Sequence, residues 1–552
     1  MNAHLRRTFY LFVAGFVALV GVLAYWQVYA RVPLATDPAN SLQSQRVQET
    51  PRGLILAGDG ETELAQSMQE NDSSYSRFYP QGPVYSHVVG YWSPRYGASG
   101  IEIAQTNNLS GSGEPETLDE LMNQVQGGPD AGNDVELTLD PELQRLAYDE
   151  LASSTTGRGA AVAINPKNGE ILTLASYPSY DPNDLDETFP ELSEDPNSGL
   201  LNRATQGLYP PGSTFKVITA AGALLGGVKP TDKFTDTGTY ETPGYDVYNY
   251  KARVYGNVTF IQAMVYSVNA IFARLGYEYV GAEELGRLAR DFGFGDPYED
   301  FPLPIRPSSM GDLPPEQWAK GLVAQLSFGQ GPATSHPFQM ALVAATIAND
   351  GTMMEPRLVR EVRSPDGVII DKPTPRVRQR VLDQETAQTV NDMMQHVVTD
   401  LEIDALIPGV KVAGKTGTAE APPDQLHSWF ISFAPADDPE IAVAVIVENG
   451  QEGYKAALPI AHKMMETYLK STGEVPEEPP KPQPAQPKAE TTQPAQPKAE
   501  TTQPVQPKAQ VPQQSPQPAQ GKSDGSSKLP FQNPFQDFAK GPKADPSKGP
   551  GG

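Results

Sequence analysis

The chain has no cysteine, which excludes disulfides, thiolate metal sites and lipid attachment at a cysteine. Histidine is scarce. His4, His87, His336, His396, His427 and His462 are scattered with no companion at ligand spacing, so neither a metal nor a cofactor is expected. Basic residues are in deficit, 42 against 67 acids for a net charge of −25, which argues against a nucleic-acid partner. Long apolar runs are also nearly lacking. The exception is Phe9–Tyr29, whose one polar member is Gln27. As a helix it would span about 30 Å, enough for a bilayer core. Arg6 and Arg7 precede it, which predicts residues 1–8 on the cytoplasmic side and the rest of the chain outside. The bulky residues Tyr25, Trp26 and Tyr29 suit the outer interface and argue for an uncleaved anchor over 9–29.

What is present is chemistry in three short motifs: Ser213-Thr214-Phe215-Lys216, Ser267-Val268-Asn269 and Lys415-Thr416-Gly417-Thr418. Each alone reads as an ordinary helix cap, turn or strand end. The ordered triple, with no second copy of any member, reads as the parts of a serine acyltransferase. Serine is a poor nucleophile without an adjacent base. The turn-like run Tyr209-Pro210-Pro211-Gly212 stops before the apolar stretch Phe215–Leu225, which predicts a helix starting near Ser213. Residues three apart share a helix face, so Lys216 is expected beside Ser213. Its amine acts as a base only with a lowered pKa, which burial beside a second cation would supply, Lys415 being the candidate.

Ser267 and Asn269 fall in Phe260–Arg274, whose apolar spacing is helical or helix-flanking. There Ser267 would relay a proton between Lys216 and the leaving group, while Asn269 fixes Lys216 and the substrate amide. Lys415–Thr418 precedes two strand-like stretches, Ser428–Ala434 and Ile441–Val447, and is expected on an edge strand. Lys415 and Thr416 would hold a peptide carboxylate, and Gly417 would let substrate backbone approach.

These motifs, with Asn202-Arg203-Ala204, Ser327-Phe328-Gly329-Gln330-Gly331, Trp429-Phe430, Arg52-Gly53-Leu54-Ile55 and Leu137-Thr138-Leu139-Asp140, resemble the class B penicillin-binding proteins. The compact N-terminal region and Met1-Asn2-Ala3 with Leu5-Arg6-Arg7 look most like the actinobacterial penicillin-binding protein A branch. The resemblance covers roughly residues 1–470. It implies a monofunctional peptidoglycan D,D-transpeptidase acylated at Ser213 by a D-Ala-D-Ala stem peptide or by a β-lactam. Lys216 is then the base, Ser267 and Asn269 the relay, and Lys415, Thr416, Gly417 and Thr418 the substrate-binding strand. The backbone N–H groups of Ser213 and Thr418 form the implied oxyanion hole. The acceptor is an amine of a neighbouring stem peptide, and a SEDS-family glycan polymerase in the same membrane is the implied partner. A D,D-carboxypeptidase differs only in using water as acceptor and stays open. A serine β-lactamase and a non-enzymatic β-lactam-binding scaffold are the further alternatives.

The fold expected is α+β: a β-lactamase-like transpeptidase domain over 156–470, an antiparallel sheet with a helical region inserted. Gly159–Ile164 and Glu170–Ser176 read as strands joined by a turn at Asn168-Gly169. Helical patterns occupy Ile261–Tyr277, Ala282–Phe292, Gln339–Ala348 and Thr386–Val398, and strands are expected to return only after Val410. Residues 30–155 are expected to form a small pedestal of the dimerisation type. Residues 471–552 carry 18 prolines and a ten-residue unit, Gln483–Thr492, that repeats unchanged at 493–502. Such a segment cannot bury a core and is expected to be disordered, with Phe531, Phe535 and Phe538 as candidate partner contacts.

Overall fold

A computed structural model of the chain describes residues 3–24, 50–71, 74–111, 131–401, 407–421, 425–450 and 453–474. The proline-rich repeats and the three tail phenylalanines lie outside the described residues. Helix α1 covers Ala3–Ala24. It overlaps the expected span Phe9–Tyr29, but positions 25–29 lie outside the described residues. Among the described residues no helix is long and apolar enough to cross a membrane.

Strands β1 (Ile55–Leu56), β2 (Glu63–Asn71), β3 (Ser74–Phe78) and β4 (Asp134–Leu137) come next, followed by helix α2 (Pro141–Ala152). The hairpin β5 (Gly159–Ile164) and β6 (Ile171–Tyr177) then leads to helices α3 (Lys216–Leu225), α4 (Phe260–Val265), α5 (Asn269–Arg274) and α6 (Pro337–Ala348). Strands β7 (Val359–Arg363) and β8 (Ile369–Asp371) precede helix α7 (Gln384–Asp400). The last elements are β9 (Ala413–Ala421), β10 (Gln425–Ala434), β11 (Ile441–Val447) and helix α8 (Gly453–Ser471).

The central sheet has the order β9-β10-β11-β5-β6, antiparallel throughout. One face carries α2 and α8, which pack Leu143, Ala147, Leu151, Met464 and Met465 against Ala161, Ala163, Val443 and Val445. The other face carries α6, buried along its whole length. Covering both faces explains why β5, β6 and β11 are near-continuous apolar runs rather than alternating ones. The expected hairpin turn is present, with Gly169 at φ +77°. The Lys-Thr-Gly strand β9 is an edge of this sheet, with no strand beyond it among the described residues.

The second sheet draws on two distant stretches of the chain. Its order is β8-β7-β4-β1-β2-β3, so the N-terminal module is completed by strands from residues 359–371. Helix α2, placed in that module by the sequence, instead packs on the central sheet. The chain passes between the two sheets near Thr138–Asp140. Thr138 Oγ1 donates to Ile171 O at 2.7 Å, and Asp140 N–H donates to Leu172 O at 2.9 Å. Asp140 also caps α2 by accepting from Leu143 N–H at 2.9 Å, with Pro141 in the first turn.

The region between the early and late strands is not wholly helical, contrary to expectation. Lys233–Asp236 pairs with Gly256–Thr259, Thr239–Thr242 with Tyr245–Tyr248, and Thr352–Met354 with Val377–Arg380. These strands are three or four residues long, too short for a period of two to stand out in the sequence.

Candidate active site

Ser213 sits on a short 3₁₀ turn, Gly212–Phe215, that feeds directly into α3 at Lys216. The run leading to it is clamped on three sides. Tyr209 exchanges backbone hydrogen bonds with Ser335 at 2.9 and 2.7 Å, Trp429 Nε1 donates to Pro210 O at 3.1 Å, and Gly212 N–H donates to Gly329 O at 2.9 Å. Gly212 has φ +54°, and a Cβ there would lie 2.7 Å from Thr418 O. The absence of that carbon lets the nucleophile turn lie against β9.

Lys216 is fully buried at the start of α3. Its Nζ is 3.1 Å from Ser213 Oγ, 2.7 Å from Ser267 O, 3.1 Å from Ser267 Oγ and 2.7 Å from Asn269 Oδ1. Burial first, and the neighbouring Lys415 second, hold its pKa well below the ordinary lysine value. The lowered pKa favours the neutral amine, which lies within reach of the serine hydroxyl.

The Ser267 motif is not part of a continuous helix. Helix α4 ends at Val265 and α5 starts at Asn269, and Ser267 between them has φ +57°. That left-handed conformation is costly for a residue with a Cβ. It turns both the carbonyl and the hydroxyl of one residue toward Lys216. Asn269, in the first turn of α5, accepts from Lys216 and donates through Nδ2 to Tyr248 O at 3.2 Å. Its side chain is therefore fixed at both ends.

Lys415 is also fully buried, and burial lowers its pKa to about 7. Its Nζ donates to Ser267 Oγ at 3.0 Å and to Thr416 O at 2.9 Å. Ser267 Oγ therefore bridges the two lysines. Thr416 and Thr418, two apart on the edge strand, share one half-buried face, while Lys415 and Gly417 share the buried one. Gly417 also has a packing role that the sequence did not show. A Cβ at that position would lie 2.8 Å from Thr214 Cγ2 and 2.9 Å from Trp429 Cβ, so this glycine admits the nucleophile turn.

All eight residues singled out in the sequence belong to this one locality or to the strand beside it. Residues 159–466 match the penicillin binding protein transpeptidase domain, and residues 52–135 match the penicillin binding protein A dimerisation domain. The chain belongs to the penicillin-binding protein transpeptidase family. Among its relatives is the peptidoglycan D,D-transpeptidase PbpA of Mycolicibacterium smegmatis, 35% identical over 475 residues, which cover 83% of this chain and 96% of that one. The PbpA of Mycobacterium tuberculosis is 35% identical over 493 residues, 85% of this chain and 99% of that one. The crystal structure of the M. tuberculosis PBPA superposes with a TM-score of 0.72 at 35% identity, covering 76% of this chain and all of that one. Its ceftriaxone acyl-enzyme complex superposes with a TM-score of 0.72 at 34% identity, covering 77% of this chain and all of that one.

One part of this penicillin-binding protein's site was not singled out from the sequence. The Glu448 carboxylate, just past the end of β11, accepts from Arg203 Nε at 2.8 Å and from the Tyr209 hydroxyl at 2.7 Å. It also pairs with Arg158 Nη2 at 2.8 Å. Burial pushes Glu448 up, but Arg203, Tyr209 and Arg158 together outweigh it and hold the carboxyl below its ordinary value. This node ties the run before Ser213 to the central sheet. Arg203 was visible as part of a family-like tripeptide, but its partner lies 245 residues away and no local spacing announces it. His427, on β10, packs edge-on against Tyr209 at 5.3 Å and accepts from Asn449 N–H at 3.2 Å. It is a packed histidine.

Proposed function

We propose that this chain is a peptidoglycan D,D-transpeptidase whose acylated nucleophile is Ser213. The observation that carries the assignment is the placement of a buried Lys216 amine between Ser213 Oγ and Ser267 Oγ, each at 3.1 Å. Lys216 takes the Ser213 proton as Oγ attacks the penultimate D-Ala carbonyl of a stem peptide, or the β-lactam carbonyl that mimics it. The backbone N–H groups of Ser213 and Thr418 meet the developing oxyanion, supported by the contact between the Gly212 turn and Thr418. Ser267 passes the proton to the departing amine, and the amine-bearing acceptor then reverses these transfers. Thr416 and Thr418 hold the substrate carboxylate on the edge strand, with the Lys415 charge behind them. The relatives' names and the antibiotic acyl-enzymes formed by the M. tuberculosis protein support the same chemistry.

In this reading the N-terminal apolar run anchors the protein in the cell membrane with the catalytic domain outside. A SEDS-family glycan polymerase in that membrane is its partner. Arg6 and Arg7 before the run support the orientation. Scrambling Phe9–Tyr29 at constant hydropathy should keep membrane fractionation and lose co-purification with the polymerase.

The test of the chemistry is fluorescent-penicillin labelling of the full chain in detergent beside Ser213→Ala. Stable labelling that vanishes in the variant is expected. Label that is released within seconds would replace the reading with a β-lactamase. A stem-peptide product assay then separates cross-linking from the carboxypeptidase reading, in which only hydrolysed peptide forms.

A further inference from the structure

Exposed aromatic side chains gather on one segment beside the catalytic cleft. Tyr245, Tyr248, Tyr250, Val254 and Tyr266 are all exposed. Tyr255 stacks on Tyr266 with ring centroids 5.3 Å apart and planes 13° apart. Two cations lie on the same strip: Lys251 Nζ is 4.9 Å from the Tyr250 ring, and the Arg253 guanidinium is 5.0 Å from the Tyr255 ring. The acids of the hairpin, Glu241 and Asp246, face each other in register before the strip turns into the cationic stretch. A cluster of exposed aromatic residues is a common mark of a binding surface.

This strip is rigidly joined to the catalytic residues. The buried Asn249, between Tyr248 and Tyr250, donates to both Asp236 carboxylate oxygens at 2.9 Å and accepts from Ala270 N–H of α5 at 2.9 Å. Asn269 holds Tyr248 O, and Tyr266 immediately precedes Ser267. Lys251 and Ala252 are consecutive left-handed residues at φ +54°, a costly conformation that turns this stretch away from the strand before it. The strip thus begins at the Ser267–Asn269 wall of the cleft and leads outward from it.

We propose that this strip is the acceptor subsite: an acidic stem peptide lies across the tyrosines, its carboxylates meeting Lys251 and Arg253, as its amine reaches the acyl-enzyme. The inference rests on the transpeptidase reading above. Deacylation retraces acylation: the acceptor nitrogen bonds to the acyl carbon and the carbon–Oγ bond to Ser213 breaks. One amine proton returns to Ser213 by way of Ser267 and Lys216. The attacking amine therefore occupies the place of the departing one, next to Ser267. The free edge of β9 is taken by the donor, so the acceptor's remaining chain leaves the cleft on the Ser267–Asn269 side, where the aromatic strip lies.

The test uses the full chain in detergent with a D-Ala-D-Ala stem-peptide donor and a second stem peptide bearing the free amine. Two variants are compared, Tyr250→Ser/Val254→Ser and Lys251→Glu/Arg253→Glu. Fluorescent-penicillin labelling should stay within about twofold of the parent, while the ratio of cross-linked to hydrolysed product falls about tenfold in both. Raising the acceptor concentration should restore the ratio. Unchanged ratios in both variants, with a parent that makes cross-linked product, overturn the subsite alone. A parent that makes only hydrolysed product overturns the transpeptidase reading and the subsite with it. If the Tyr250→Ser/Val254→Ser variant loses labelling, the charge-reversal pair decides, because both its side chains are exposed.

Discussion

Replacing Glu448 by alanine tests whether a buried charge node far from the motifs sustains the nucleophile turn. The Arg203 side chain is only 1% exposed and pairs with this carboxylate. Its remaining acceptors are the Ser198 and Asn197 carbonyls, which carry no full charge. Removing one member of a buried ion pair costs about 3–5 kcal/mol, because the other is left buried without a counter-charge. Arg158, with its side chain 34% exposed, is solvated and adds little to this. Loss of the Tyr209 hydroxyl's acceptor falls within the same site and is not simply additive. A loss of about 4 kcal/mol is a large part of the roughly 5–15 kcal/mol by which such proteins are stable. It should lower the unfolding midpoint of the full chain, followed by circular dichroism, by about 5 °C. The paired change Arg203→Met/Glu448→Leu leaves neither charge behind and should recover most of the stability. Penicillin labelling should be slowed in Glu448→Ala even at temperatures where it is folded, because the Tyr209 hydroxyl then loses its acceptor and only backbone bonds and ring contacts hold the residue. A midpoint shift below about 2 °C, or a double variant no better than the single one, would refute the reasoning.

Four further outcomes are expected. Because Glu448 is held below its ordinary value of 4.5, its contribution is present above that pH and is lost as pH falls through the folded-state value. The midpoint difference between the parent and Glu448→Gln should therefore narrow in acid below 4.5, and a difference that widens there would contradict the pairing. The second-order penicillin-labelling rate should be bell-shaped in pH. It falls in acid as Lys216 is protonated and falls in base as Lys415 loses its proton near 7, whereas Lys415→Arg should abolish the alkaline limb. Ser267→Ala removes the oxygen between the two lysines and should lower the labelling rate by about 10²–10⁴ with the fold intact by circular dichroism. Gly417→Ala forces a carbon against Thr214 and Trp429, and should cost about 1–3 kcal/mol of stability and most of the labelling rate.

Much of this site was legible in the sequence, for reasons that are local. A proline-glycine entry and an apolar run predicted where α3 begins, and a separation of three residues on one helix face put Lys216 beside Ser213. The apolar runs of β5, β6, β10 and β11 and the turn at Asn168-Gly169 predicted the central sheet's strands. The second lysine's part in lowering the pKa of Lys216 also followed from the motif set, although burial is the larger cause.

Other features depend on which distant segments meet, and periodicity carries no such information. Strand β7 pairs with β4 across more than two hundred residues, so a module that reads as N-terminal is completed from within the catalytic domain. The Glu448 node joins four residues from three separate stretches of chain. Ser267 reads as helical or helix-flanking because Val265, Val268 and Ile271 keep helical spacing, and only the structure shows the left-handed break that turns its hydroxyl and carbonyl inward. Gly417 reads as a place for substrate, and only the packed neighbours Thr214 and Trp429 reveal that it also makes room for the nucleophile turn. The sequence by itself determined the chemistry, because the nucleophile, base and carboxylate strand are written in residue types and short spacings. Tertiary structure alone decided what makes those residues reactive, because burial, strain and counter-charges arise only when the sheets and helices close around them.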